Sequence, residues 1–385
     1  MKLKRVTALA LTAVMAFSAF GCGSEKKKTT KATKVDVASA TSLENAVVLL
    51  PDYTTGEFTM TADIRVVKDG EKEDMFLSTT GERAGDDLRT GAYLKLGAKG
   101  QNIDMNMLNV ITVTGGKAYI NVDSILTSIG ASDTKAGYYA IPAPEIDSSK
   151  RKDYEKDLAE VSKLFLTAML EGAEVTGKEG DFTAKINDAD GYIKSLKAMV
   201  KCATENKEKI EELVQKSGDL IDYEKYIDKL IDSVGDDLVD ASSELGMKIT
   251  KDQVNQIKKS AKEAFNQKDS ASSLGSISDS IDELKNVVEN MSEEDMKKSY
   301  ESFKDAAVTI TVKAEEKSYN VNAVFNIAAK DGSSVSMDVT YKFESKDVKI
   351  SKPGNTKSLS EIAKYLKDNP TIFGSLMSQA YSLGR

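Results

Sequence analysis

The chain of 385 residues carries 61 acidic against 53 basic side chains, a net charge of −8, and contains no histidine. An acidic balance argues against a phosphate-backbone ligand, so no nucleic acid is expected as a partner. The missing histidine removes the commonest general base and transition-metal ligand, and with them Ser-His-Asp, Cys-His and His-zinc chemistry.

The first 21 residues read as an export signal. Lys2, Lys4 and Arg5 form a basic n-region, and Val6 to Phe20 form an apolar h-region of 15 residues, short of the ~20 needed to span a bilayer. Ala19-Phe20-Gly21-Cys22 then resembles the cleavage and lipidation box of a bacterial lipoprotein, with Ala19 where a bulkier aliphatic residue is usual. Cys22 becomes the diacylated N-terminus, and its two chains supply stable anchoring at the extracytoplasmic face of the cell membrane. Residues 22–40 form a lipidated cysteine and flexible tether in which Lys26, Lys27, Lys28, Lys31 and Lys34 sit among Ser and Thr, close to anionic headgroups. With Cys22 acylated, Cys202 is the only remaining thiol, which rules out an intramolecular disulfide. Cys202 falls on an apolar helical face and reads as a small hydrophobe rather than a nucleophile.

From Thr41 a capping-box pattern, Thr41-x-x-Glu44, opens a short helix to Leu50. Strands follow. Phe58, Met60, Ala62, Ile64 and Val66 alternate with polar residues, as do Ala92, Leu94, Leu96 and Ala98, and then Ile103, Met105 and Met107. Turn signals at Asp69-Gly70, Gly85-Asp86, Lys99-Gly100 and Gly115-Gly116 give the spacing of an antiparallel meander.

Between Asp153 and Asp305 the period becomes helical, with one strand-like interruption at Asp181 to Ile186. Apolar faces are formed by Leu158, Val161, Phe165 and Ala168, by Ile193, Leu196, Val200 and Ala203, by Val254, Ile257 and Ala261, and by Ile281, Leu284 and Val288. Thr250-x-x-Gln253 and Ser292-x-x-Asp295 supply helix starts, and Ser270 to Ser280 reads as a Ser-rich break. Strand alternation returns at Val308 to Ala314, Val321 to Ile327 and Val335 to Phe343, with a hairpin signal at Asp331-Gly332. Pro353-Gly354 ends the sheet, Ser358-x-x-Glu361 starts a helix, and residues 353–385 form a C-terminal helical segment.

No strong catalytic, metal or cofactor motif is present, and the chain is expected not to be an enzyme and to hold no cofactor and no metal. Ser-x-x-Lys at Ser24/Lys27, Ser132/Lys135 and Ser149/Lys152 lacks its companion motifs. Asn187 to Gly191 departs from the calcium-loop pattern and reads as a helix cap after a strand. Aromatic content of 6 % with no tryptophan argues against a sugar- or base-stacking platform.

The element order predicts one α+β domain over residues 41–352: a curved antiparallel sheet in an open half-barrel, helices on its concave face, and a helical insertion at about 188–305. In that order and in strand style the chain, from about Thr41 to Ser345, resembles the periplasmic lipoprotein-carrier superfamily (LolA-like), especially the lipid-anchored mycobacterial lipid carriers. The resemblance implies an unclosed half-barrel that holds acyl chains, although the helical stretch here is longer than that family's plug. Met60, Met75, Met105, Met107 and Met337 all fall in strand segments, and their thioethers suit an adaptable, ligand-accommodating wall. Two functions remain open from the sequence. One is carriage or binding of a lipid or other hydrophobic ligand; the other is a cell-envelope protein-protein interaction with no ligand cavity.

Overall fold

A computed structural model describes Ser42 and residues 55–383, apart from 69, 99–100 and 267–269. The export signal, Cys22, the tether, the short helix after Thr41 other than Ser42, and the turn at Lys99-Gly100 lie outside the described residues, as does Asp69 of the turn Asp69-Gly70.

Four long strands come first: β1 (Thr55–Lys68), β2 (Glu71–Ala84), β3 (Asp87–Ala98) and β4 (Gln101–Thr114). They form the antiparallel meander expected from the turn signals. Gly115 and Gly116, both at positive φ, turn the chain into β5 (Lys117–Asn121), a hairpin whose twist requires that conformation. Helix α1 (Val122–Ser128), β6 (Tyr138–Pro142) and the long α2 (Ser148–Leu170) lead to a hairpin of β7 (Glu174–Lys178) and β8 (Asp181–Ile186).

Six helices separate β8 from its ladder partner: α3 (Ala189–Glu205), α4 (Lys207–Asp219), α5 (Tyr223–Glu244), α6 (Lys251–Asn266), α7 (Ser270–Asn290) and α8 (Glu293–Glu301). Asp188 caps α3 by accepting from the Gly191 amide at 2.7 Å, so the calcium-like string acts as a helix start. Thr250 and Ser292 cap as their sequences predict. The Ser-rich stretch from Ser270 is helical rather than a break. Leu274, Ile277 and Ile281 recur through it at i, i+3 and i+7, and that period overrides the weak propensity of serine.

The chain then returns to the sheet as β9 (Phe303–Ala314), β10 (Ser318–Ala329) and β11 (Ser334–Glu344). β9 pairs with β8, and β11 pairs with β1 over eleven residues, from Glu57↔Glu344 to Val67↔Ser334. Pro353-Gly354 does not end the sheet, because β12 (Thr356–Lys357) adds two residues in parallel to β6 before α9 (Leu359–Asp368) and α10 (Pro370–Leu383). Ser358 and Glu361 make the full capping box that starts α9. The result is one open, mostly antiparallel sheet of twelve strands in the order β12-β6-β5-β4-β3-β2-β1-β11-β10-β9-β8-β7, an α+β fold as expected.

Residues opposite each other in a ladder share a face. One row runs Thr183, Thr311, Asn322, Thr340, Thr61, Ser78 and is polar. The next residue on each strand gives the row Ala184, Ile310, Ala323, Val339, Ala62, Leu77, Leu94, Met105, which is wholly apolar. The sheet therefore has one dry face and one wet face. Helix α2 packs Leu166, Met169 and Leu170 on the dry face over β8 to β11 and β1. At the other end α1, α9 and α10 gather around Leu126, Tyr139, Ile362 and Leu366.

Candidate hydrophobic binding face

The register places all five strand methionines on the dry face. Met60 pairs with Tyr341 and belongs to the core under α2. Met337 stands between Ile64 and Phe325, is 2 % exposed, and forms the centre of a cluster with Ala62, Ile64 and Val339. Met75 lies opposite Ile64 and packs against that cluster from β2. Met105 and Met107, opposite Leu94 and Ala92, close the array on β4.

Burial divides this face in two. Over β8 to β11 and β1 the apolar side chains are mostly buried, among them Ile310, Val321, Val339 and Ala62. Over β2, β3 and β4 the same rows continue with Met75, Leu77, Leu94, Leu96, Ile103, Met105 and Met107, and each of these seven is only half-buried. Three strands ~4.8 Å apart and rows ~6.8 Å apart make this an apolar area of about 10 by 14 Å between Cα positions. Sequence periodicity identified the face but not this division, since Met337 and Met105 obey the same alternation.

A bulge ends the array. Between Thr90/Ile111 and Ala92/Met107 the partner strand carries two extra residues; Asn109 adopts φ 49°, and Leu108 turns out to 65 % exposure. Gly91 opposite makes the bulge possible, because a Cβ there would sit 2.9 Å from the Met107 carbonyl oxygen and 3.0 Å from the Asn109 nitrogen. Both neighbours are backbone and cannot rotate away. Gly91→Val is therefore expected to cost about 1–3 kcal/mol, read as a lower denaturation midpoint at unchanged slope.

Two hollows lie elsewhere, on the helical layer, with volumes of about 340 and 430 Å³. The first is lined from α3 and α8, the second from α3 and α7, and they share Lys197 and Lys201. Ile193, Val200 and Val288 contribute apolar lining, whereas Lys194, Lys197, Lys201, Lys285 and Lys297 stand among Glu171, Asp190, Glu205, Glu289 and Glu293. Five cations among five carboxylates make no anion cradle. Lys197 binds Glu293 at 2.6 Å and Lys297 binds Asp190 at 2.7 Å, clamping α3 to α8. The hydrogen bond from Lys197 holds the Glu293 carboxyl below the usual range.

Along α7 the structure corrects one sequence expectation. Leu284 does not share the inward face of Ile281 and Val288; it is 38 % exposed and aligns with Val287 at i, i+3 as an outward apolar ridge that Met291, just past the helix end, extends. On α6 Ile257 likewise points outward while Val254 is buried.

Cys202 is buried on α3, and burial pushes its thiol pKa up against the weaker pull of the Asn206 amide. That is the environment of an inert thiol. Among the described residues no group of three or more His, Cys, Asp or Glu side chains is placed to hold a metal ion, and no helix is long and apolar enough to cross a membrane. Comparison of this chain with protein families, with curated proteins and with solved structures gives no match.

Proposed function

We propose that this chain binds or carries a lipid or comparable hydrophobic ligand on the open half of its dry sheet face, as a non-enzymatic lipoprotein held at the membrane through Cys22. One observation carries the reading: seven apolar side chains on β2, β3 and β4 are only partly buried on a face whose other half is mostly packed. A contiguous apolar surface left partly open is one on which a hydrophobic ligand gains by removing it from water. Met75, Met105 and Met107 supply an unbranched, polarizable lining that reshapes around flexible chains. The resemblance to lipoprotein carriers points the same way.

The test uses Met105→Glu and Met107→Glu. Both side chains already reach water, so either variant is expected to stay within about 1 kcal/mol of the parent while lowering the affinity for a fluorescent hydrophobic probe. Unchanged probe affinity in both variants would reject this face as the binding surface.

A second reading is favoured by the ridge of Leu284, Val287 and Met291 beside the larger hollow. Apolar residues at that spacing suit a partner protein's groove or helix. On that reading, a photo-crosslinking side chain at Val287 forms a protein adduct, and probe binding at β2 to β4 is incidental.

A further inference from the structure

Strand β7 is the outer edge of the sheet, and all five of its residues are exposed. From its sequence and register we infer that β7 pairs antiparallel with β7 of a second copy of this chain about a twofold axis at Thr176, joining two sheets edge to edge.

The hydrogen-bonding groups fit first. Glu179 and Gly180, at φ 51° and 86°, make a two-residue turn that closes on Lys178↔Asp181. In such a hairpin the closing pair exchanges both its hydrogen bonds inward. Alternation then sends the backbone groups of Thr176 and Glu174 inward as well, and those of Val175 outward to the open edge, while Gly177, at φ 112°, departs from extended geometry. A twofold at Thr176 sets Val175 opposite Gly177 of the other copy, and Gly177 opposite its Val175. In that register each Val175, with its groups on the open edge, meets a glycine that has the backbone freedom to extend and pair, whereas a register shifted by one residue sets Val175 opposite the inward-facing Thr176.

Side chains fit in the same register. On the wet face Glu174 meets Lys178 of the second copy and Lys178 meets its Glu174, two opposite-charge pairs with Thr176 against Thr176 between them. Neither Glu174 nor Lys178 has an ion pair among the described residues. On the dry face Val175, 45 % exposed, meets Gly177, and a branched side chain covers the bare backbone of a glycine opposite. Gly177 cannot be replaced without a clash, since a Cβ there would lie 2.0 Å from the Asp181 carbonyl oxygen at φ 112°. Charged residues usually protect an edge from pairing; this five-residue order, acid-apolar-Thr-Gly-base, instead selects one register with its own copy.

The test uses the full chain in its membrane. Thr176 would face its counterpart in a non-hydrogen-bonded pair, with Cα atoms about 4.5 Å apart, inside the range that a disulfide spans. Mild oxidation of Thr176→Cys is expected to give a covalent dimer that the parent, with Cys202 buried, does not give. Adding Glu174→Lys should weaken association at least about tenfold by setting like charges opposite each other twice, and adding Lys178→Glu as well should restore it. No dimer from Thr176→Cys, a dimer indifferent to the charge reversal, or no rescue by the double reversal would each overturn the pairing. All three positions are exposed, but within the hairpin Glu174 lies opposite Lys185 and Lys178 opposite Asp181, so each variant is first shown by circular dichroism and its thermal midpoint to keep the parent fold, and a dimer lost with the fold intact is the result that counts.

Discussion

Deleting every residue after Asp305 is expected to unfold the N-terminal strands along with the C-terminal ones. The deletion removes nearly all of β9 with β10 and β11, and these contribute eight of the twelve buried residues in the core beneath α2. β1 loses its partner over eleven paired positions and becomes an edge, and Ala62 and Ile64 lose Met337, Val339 and Phe325 and keep only Val66, Met75 and Leu77 beside them. A two-layer domain depends on burying one face of its sheet against something. The truncated chain should show no cooperative thermal transition by circular dichroism; a sharp transition would mean that residues 55–305 fold as an independent unit.

Met337→Glu is the second large effect, and it is the counterpart of the tolerated substitutions at Met105 and Met107. Met337 is sealed among Ile64, Phe325 and Val339. A carboxylate forced into that site is buried without a partner or must take up a proton, which costs on the order of 3–5 kcal/mol. That is a large share of the ~5–15 kcal/mol that holds a typical domain together. Met337→Leu, which nearly conserves volume, should cost less than ~1.5 kcal/mol. Chemical denaturation of both variants checks this, and a Met337→Glu protein as stable as the parent would show that the site is open to water.

The contrast between Met337 and Met105 shows where sequence reading stops. Alternation placed both on one face, because side chains two residues apart point the same way. Which half of that face receives a helix depends on where α2 lands, and no local pattern encodes that. β2 was hard to see because its dry-face positions after Met75 and Leu77 are Thr79, Gly81 and Arg83; neighbours on both sides, not its own hydrophobicity, hold it in the sheet. β7 has no buried side and therefore no alternation to detect. Leu284 and Ile257 were misplaced for a related reason. A period of 3.6 residues groups apolar side chains into a stripe, but the angular width of the stripe that is covered depends on the neighbouring helix. By contrast, several caps were legible: Thr250, Ser292 and Ser358 to the residue, and Asp188 within the string Asn187 to Gly191, because each caps through local hydrogen bonds that need no tertiary partner. The return of the strands after Asp305 to the first sheet was likewise foreseeable, since three long half-apolar strands need a dry layer to join.

The charge pattern sets a further condition on function. Lysines and carboxylates pair across the helical layer, as Lys258 does with Asp228 at 3.0 Å and Asp232 at 2.8 Å, and Lys262 with Asp228 at 2.6 Å. Such exposed pairs are screened within a Debye length and contribute little individually. Among the described residues this pairing neutralises the lysines of the helical layer, which directs attention to the apolar surfaces as the recognition elements.

The measurement that tests the proposed function most directly is native mass spectrometry of the protein isolated in mild detergent from its own host. Hydrophobic-ligand binding predicts a population heavier than the lipidated polypeptide by a discrete, non-covalent apolar species that is lost on collisional activation and diminished in Met105→Glu. A polypeptide that carries only its covalent anchor, with no such species under conditions where known lipid carriers retain theirs, would contradict that account.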